Sequence, residues 1–343
     1  MHLADRLGRP LADLRLSVTD RCNLRCSYCM PEEEYRWLPR SDILRFEELT
    51  TLVRAFVGCG VEDVRLTGGE PLLRRDIEQL VGMLRSIGGV RDLSMTTNGL
   101  LFAPMAARLK AAGLDRITIS LDTLQPERFR TLARRDGLPQ VLEALEAAQL
   151  HGFRHTKIDT VLLRGINDDE IVPLFEQART VGAEIRYIEY MDVGGATQWS
   201  LDKVVPASEI LAVLERAYGP ARRVDVESRA PAKRWLLADG TVFGIVASTT
   251  QPFCGTCDRS RVTADGMWFH CLYATHGTNL RALLRAGATQ AELMDALRQG
   301  WRAREDRGAQ LRLEAQAQAA RGSLAERATL RDNPHLEMHT RGG

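Results

Sequence analysis

The sequence predicts an α/β fold: a partial, six-stranded parallel β/α barrel with a smaller C-terminal α+β module. Two observations predict it. Six strand-like runs alternate with helical apolar spacing through the first half of the chain. Near Asp192 that rhythm stops, and a loop-like GGATQW (194–199) leads into shorter, antiparallel-looking runs. The expected division is therefore 1–193 for the barrel and 194–343 for the module.

The first run, Asp13 to Val18, alternates apolar and polar residues and delivers the chain into a cysteine loop. Glu47 to Val57 has helical spacing and stops at Gly58, after which Val61 to Leu66 reads as a strand ending at Thr67, Gly68 and Gly69. Further strands are expected at Asp92 to Thr96, Arg116 to Leu121, Lys157 to Leu162 and Glu184 to Glu189. Helical patterns at Ala103 to Ala112, Pro139 to Leu150 and Asp169 to Val181 separate them. A complete eight-stranded barrel needs two more such units, and no such pattern is evident. Beyond residue 193 a helix is expected at Pro206 to Tyr218, with short strands at Arg222 to Glu227, Arg234 to Leu237 and Val242 to Val246. The stretch Arg302 to Arg331, rich in Arg, Ala, Gln and Glu, reads as a solvated helix.

The chain has 343 residues, 44% of them hydrophobic, enough for one large α/β domain with an appended module or for two domains. Its 46 basic and 45 acidic residues leave a net charge of +1, which argues against a nucleic-acid-coating surface. There is no signal-peptide pattern and no apolar run approaching about eighteen residues, so a cytoplasmic chain without a membrane partner is expected. Seven cysteines are then expected to stay reduced. Six form two triplets, Cys22/Cys26/Cys29 and Cys254/Cys257/Cys271, while Cys59 reads as a small buried hydrophobe.

In TDRCNLRCSYCMP (19–31) gaps of three and two residues separate three thiols, which allows one metal centre to be wrapped locally. A four-iron cubane held by three cysteines keeps one iron open for chemistry. Zinc is the competing reading, but no histidine lies between His2 and His151 to complete a local tetrahedral site. At the second triplet zinc competes more strongly, because His270 and His276 are at hand. Against it stand Arg259 and Arg261, alternating beside the thiols, a pair suited to a polyphosphate.

LRLSVTDRCNLRCSYCMP (14–31), TGGEPLLRRD (67–76) and CGTCDRSRVTADG (254–266) together resemble the GTP 3',8-cyclase family, the molybdenum cofactor biosynthesis protein A family of the radical S-adenosylmethionine superfamily. The resemblance runs from Leu14 to Gly343 and is thin over 303–331. It implies two 4Fe-4S clusters, one on each cysteine triplet, and S-adenosylmethionine on the open iron of the first. It implies cofactor contacts at Tyr28, Gly69, Ser120 and Met191, and GTP contacts at Arg15, Arg65, Thr96, Lys157, Arg259 and Arg261. The implied reaction converts GTP to (8S)-3',8-cyclo-7,8-dihydroguanosine 5'-triphosphate, the first step of molybdenum cofactor biosynthesis. In it an electron cleaves S-adenosylmethionine, and the resulting radical takes the C3' hydrogen of GTP before C3' joins C8 of guanine.

A terminal Gly342-Gly343 pair is implied to act in catalysis. Two departures from the family pattern stand out: Asp63 two residues before Arg65, where lysine is common, and Arg341 before the glycines, where an apolar residue is common. The implied partners are an electron donor of flavodoxin or ferredoxin type and a downstream cyclic pyranopterin monophosphate synthase, with the chain a monomer or homodimer. Two rival readings are a radical enzyme with an auxiliary cluster that acts on a peptide, and a zinc-stabilised interaction module. GTP binding separates the first from a cyclase, and labile sulfide separates the second.

Overall fold

The computed structural model describes residues 3–194, 198–224, 229–317 and 333–342. The first six strands are β1 Asp13–Ser17, β2 Asp63–Thr67, β3 Asp92–Thr97, β4 Arg116–Ser120, β5 Lys157–Leu162 and β6 Glu184–Glu189. Then follow β7 Arg222–Arg223, β8 Lys233–Leu236, β9 Val242–Val246, β10 Arg259–Val262, β11 Met267–Phe269 and β12 Thr278–Asn279. The helices are α1 Phe46–Gly58, α2 Ile77–Arg85, α3 Ala106–Ala111, α4 Pro126–Ala133, α5 Leu138–Leu150, α6 Ile171–Thr180, α7 Ala207–Tyr218, α8 Leu280–Arg285, α9 Gln290–Ala303 and α10 Gly308–Ala317.

Among the described residues twelve strands form one mixed sheet in the order β12-β11-β10-β1-β2-β3-β4-β5-β6-β9-β8-β7. This corrects the expected six-stranded partial barrel. Strands β1 to β6 pair in parallel as expected, but β10 joins β1 and β9 joins β6 in parallel as well. The antiparallel pairs β7-β8-β9 and β10-β11-β12 extend the two ends. Among the described residues the C-terminal segment thus has no sheet of its own; it adds strands to both flanks of the first. Local periodicity reveals that a strand exists, whereas the partner of β10 lies more than two hundred residues upstream and is chosen by tertiary packing.

The period of two along each strand sorts its side chains by face. Leu14, Leu16, Val64, Leu66, Leu93, Met95, Ile117, Ile119 and Ile158 are all fully buried. They pack with apolar positions of the helices, such as Leu49, Leu52 and Phe56 on α1, in one continuous core. The alternate positions, among them Arg15, Arg65, Thr96, Ser120, Asp159 and Arg186, line a cavity instead. A sheet whose other face is covered by helices therefore presents its polar side chains to one enclosed space. Among the described residues no helix is long and apolar enough to cross a membrane.

Candidate active site

The cavity measures about 310 Å³ and is lined by all six triplet cysteines. Tyr28, Gly69, Ser120 and Met191 line it, as do Arg15, Arg65, Thr96, Arg259 and Arg261. Lys157 does not. It starts β5, below the cavity lining, where burial and then Arg186 and Arg116 hold its ammonium down at about 8. Gly342 reaches the cavity arginines by its carbonyl, which accepts from Arg15 Nη1 at 3.1 Å and Arg261 Nη1 at 2.8 Å. Gly343 lies outside the described residues.

The first cysteine loop follows β1 and rests on the Gly68-Gly69 turn. Gly69 N–H donates to Thr19 O at 2.9 Å and Glu70 N–H to Arg21 O at 2.8 Å. A Cβ at Gly69 would stand 2.3 Å from Arg21 O, and one at Gly68, with φ at +144°, would stand 2.3 Å from Thr19 O. Both glycines are thus required first by the cysteine-loop backbone. Gly69→Ala is expected to lose about 1–3 kcal/mol through overpacking. The measurement is the denaturant midpoint of the purified variant, and a midpoint equal to wild type would show that the loop yields without cost.

Glu70 anchors the same corner, accepting from Leu72 N–H at 2.9 Å, Thr97 Oγ1 at 2.8 Å and Asn98 N–H at 2.8 Å. Burial nevertheless pushes its carboxyl up to about 7. Asn98 also reaches the thiols, its Nδ2 lying 3.8 Å from Cys22 Sγ. Tyr28 donates its hydroxyl to Asp122 Oδ2 at 2.6 Å. Asn98 and Asp122 lie just past the ends of β3 and β4, the positions that singled out Thr96 and Ser120 in the sequence, so a usable signal for both was present.

The two triplets differ electrostatically. Burial pushes the Cys22 thiol up to about 11 and raises Cys26 and Cys29 well above their usual range. At Cys257 burial also acts upward, yet Arg259 and then Arg304 pull the thiol down to about 6. Arg259 Nη2 lies 3.2 Å from the Cys257 sulfur. Among the described residues no three His, Cys, Asp or Glu side chains converge on a single-ion site. Of the zinc ligands considered for the second triplet, His276 bonds Thr275 at the exposed surface. His270 packs edge-on to Trp268 with ring centroids 4.2 Å apart and lines the cavity, its Nε2 buried without a partner among the described residues. The donors on offer are three thiols at each end of one cavity, a set that suits iron–sulfur clusters.

Between the triplets lies an excess of positive charge. β1 and β10 pair so that Asp13 faces Arg259 and Arg15 faces Arg261. Burial, then Arg261 and Arg259, hold the Arg15 guanidinium well below its usual range, and burial and Arg259 lower Arg261 to about 10. Among the described residues Arg15 Nε and Arg65 Nε are buried without a hydrogen-bond partner. Arg65 Nη1 donates to the hydroxyls of Thr96 at 3.2 Å and Thr118 at 3.1 Å. Arg186, in contrast, is paired with Asp159 at 2.6 and 2.9 Å. Cations so crowded and so short of carboxylates are arranged for a polyanion.

Both sequence departures now have positions. Asp63 begins β2, two residues nearer its N-terminal end than Arg65 and in register with Asp13 and Asp92; burial and those two neighbours raise its carboxyl to about 6. Arg341 is 2% exposed. It donates Nη1 to Leu272 O at 2.7 Å and Nε to His335 O, and covers the Phe269 ring at 4.2 Å. This arginine is therefore a tail anchor, which an apolar residue at the same place would supply by packing alone.

Residues 16–178 match the family model described as Radical SAM superfamily, and residues 183–310 match the one described as Molybdenum Cofactor Synthesis C. The chain is 53% identical over 345 residues to GTP 3',8-cyclase 3 of Mycobacterium bovis, covering 99% of this chain and 90% of that one. It is 40% identical over 319 residues to GTP 3',8-cyclase of Staphylococcus haemolyticus, covering 89% and 92%. Among solved structures it is similar to Streptococcus suis SuiB bound to S-adenosylmethionine, with a TM-score of 0.59 and 17% identity over 84% of this chain and 68% of that one. That likeness is one of fold.

Proposed function

The chain belongs to the GTP 3',8-cyclase family and is a radical S-adenosylmethionine lyase of the first step of molybdenum cofactor biosynthesis, and from that premise we propose how its own residues divide the work. The observation that carries the division is the one cavity lined by both thiol triplets and by the crowded guanidiniums of Arg15, Arg65, Arg259 and Arg261, two of which keep a buried Nε without a partner among the described residues. Cys22, Cys26 and Cys29 hold one 4Fe-4S cluster and Cys254, Cys257 and Cys271 the other. When bound, the first cluster with S-adenosylmethionine supplies the hydrogen-abstracting radical, while the second supplies an open iron for the guanine base.

Tyr28, Gly69, Ser120 and Met191 receive S-adenosylmethionine at the first end. Tyr28 is steadied by Asp122, and Gly69 is fixed by its fit to the cysteine loop. Arg15, Arg259 and Arg261 take the triphosphate, whose charge relieves their mutual repulsion. Arg65 and Thr96 meet the sugar-phosphate side from β2 and β3. Lys157, outside the cavity lining, adds its charge to this group from beneath. Gly342 lies against Arg15 and Arg261, and the terminal Gly342-Gly343 pair acts in catalysis. The protein's share of the reaction is placement: C3' must face the radical source and C8 must face C3', with water kept out.

Residues 1–193 carry the first triplet, the S-adenosylmethionine contacts and the GTP contacts Arg15, Arg65, Thr96 and Lys157, while 194–343 carry the second triplet, Arg259, Arg261 and the double-glycine tail. The enzyme works in the cytoplasm, takes its electrons from a flavodoxin- or ferredoxin-like donor, and passes its product to cyclic pyranopterin monophosphate synthase. Turnover of GTP deuterated at C3' tests the assignment. Deuterium is expected to appear in 5'-deoxyadenosine, formed in step with the cyclised nucleotide. Formation of 5'-deoxyadenosine without deuterium would sink it.

A further inference from the structure

We propose that Gly308 and the first turn of α10 form a fitted lid over the second cysteine triplet, acting as positioning residues for the cluster those thiols hold. The inference rests on the cluster assignment above. A Cβ at Gly308 would stand 2.4 Å from the Tyr273 Cβ and 3.2 Å from the Cys271 sulfur. The backbone passes there at a distance only glycine allows. Ala309, the next residue, lines the cavity, and the N–H of Tyr273, the residue that Gly308 presses on, donates to the Cys271 sulfur at 3.4 Å.

A buried staple holds the lid to the loop beneath it. Arg9 Nη1 donates at 2.8 Å both to Cys254 O and to Asp306 O, so one guanidinium ties the cysteine loop to the residues preceding α10. Arg304 Nη1 donates to Cys257 O at 2.7 Å. Asp5 sits between the two arginines, at 2.6 Å from Arg9 Nε and 3.2 Å from Arg304 Nη1. All three side chains are buried. Further along the helix Arg312 pairs with Asp192, whose other oxygen accepts the Tyr273 hydroxyl at 2.8 Å. The lid is thereby joined to the end of β6, next to Met191.

N–H groups directed at ligand sulfur favour the reduced, more negative cluster and raise its potential, and a closely packed cover slows attack by water and oxygen. The test compares wild type, Gly308→Ala and Leu311→Ala, the last at an exposed position of the same helix. After anaerobic reconstitution, iron and sulfide are measured, each cluster is titrated electrochemically by its spin resonance signal, and bleaching in air is followed.

In Gly308→Ala the potential of the second cluster is expected to fall while that of the first stays, with air loss of the second faster by about 10–100-fold. Leu311→Ala is expected to match wild type. Unchanged potential and bleaching in Gly308→Ala overturn the lid. Should that variant not fold, Arg312→Leu, which frees the far side of the helix, is read in the same way. A wild-type protein holding only about four irons would overturn the second cluster itself, and the lid with it.

Discussion

Replacing Cys254, Cys257 and Cys271 together by alanine is expected to lower the iron content of anaerobically purified protein from about eight to about four, and to abolish GTP cyclisation. Reductive cleavage of S-adenosylmethionine should persist at a basal rate, because the first triplet and its glycine turn are untouched. The effect is large because two protein thiols of the second site lie in one short loop, Cys254 to Cys257, with Cys271 arriving from beyond β11. Iron, acid-labile sulfide and zinc are measured on both proteins. About four irons in each, with zinc lost from the variant, would remove the second cluster and the account of guanine binding built on it. The chemistry at Cys22, Cys26 and Cys29 would survive that outcome.

Arg261→Ala carries the next largest expected effect. This guanidinium is 4% exposed and donates to Arg341 O at 3.0 Å and to Gly342 O at 2.8 Å. Two hydrogen bonds to a charged donor are worth about 1.5–3 kcal/mol each, so a loss of at least about a hundredfold in kcat/KM is expected. Arg261→Lys should recover part of it, since charge remains but the fork does not. Anaerobic equilibrium binding of GTP separates the two tasks of this residue. Weaker binding together with slower turnover is expected; unchanged GTP affinity with lost turnover would confine Arg261 to holding the tail.

Much of the site was legible because its chemistry is local. Three thiols within eight residues, a double glycine after a strand, and two arginines alternating beside a second pair of thiols declare themselves by spacing. Strand-end positions led to Thr96 and Ser120, and the same rule applied one or two residues further reaches Asn98 and Asp122. Arg9, Asp5 and Arg304 gave no such signal. They lie at opposite ends of the chain, in segments without motif, and meet only because α9 packs Trp301 into the core, where its indole donates to Arg9 O at 3.1 Å. Arg341 looked like a departure because its side chain was judged by type, whereas its surroundings supply two carbonyls and an aromatic face.

The amino-acid sequence by itself determined the six central strands, the two thiol triplets and the family, since each depends on residue type at short spacing. Only the tertiary structure decided that β9 and β10 flank those strands in parallel, that both triplets open into one cavity, and that Gly342 lies on Arg15 and Arg261. Which distant strand offers a register, and which buried carbonyl an arginine can reach, are settled by packing among residues hundreds of positions apart, where periodicity carries no information.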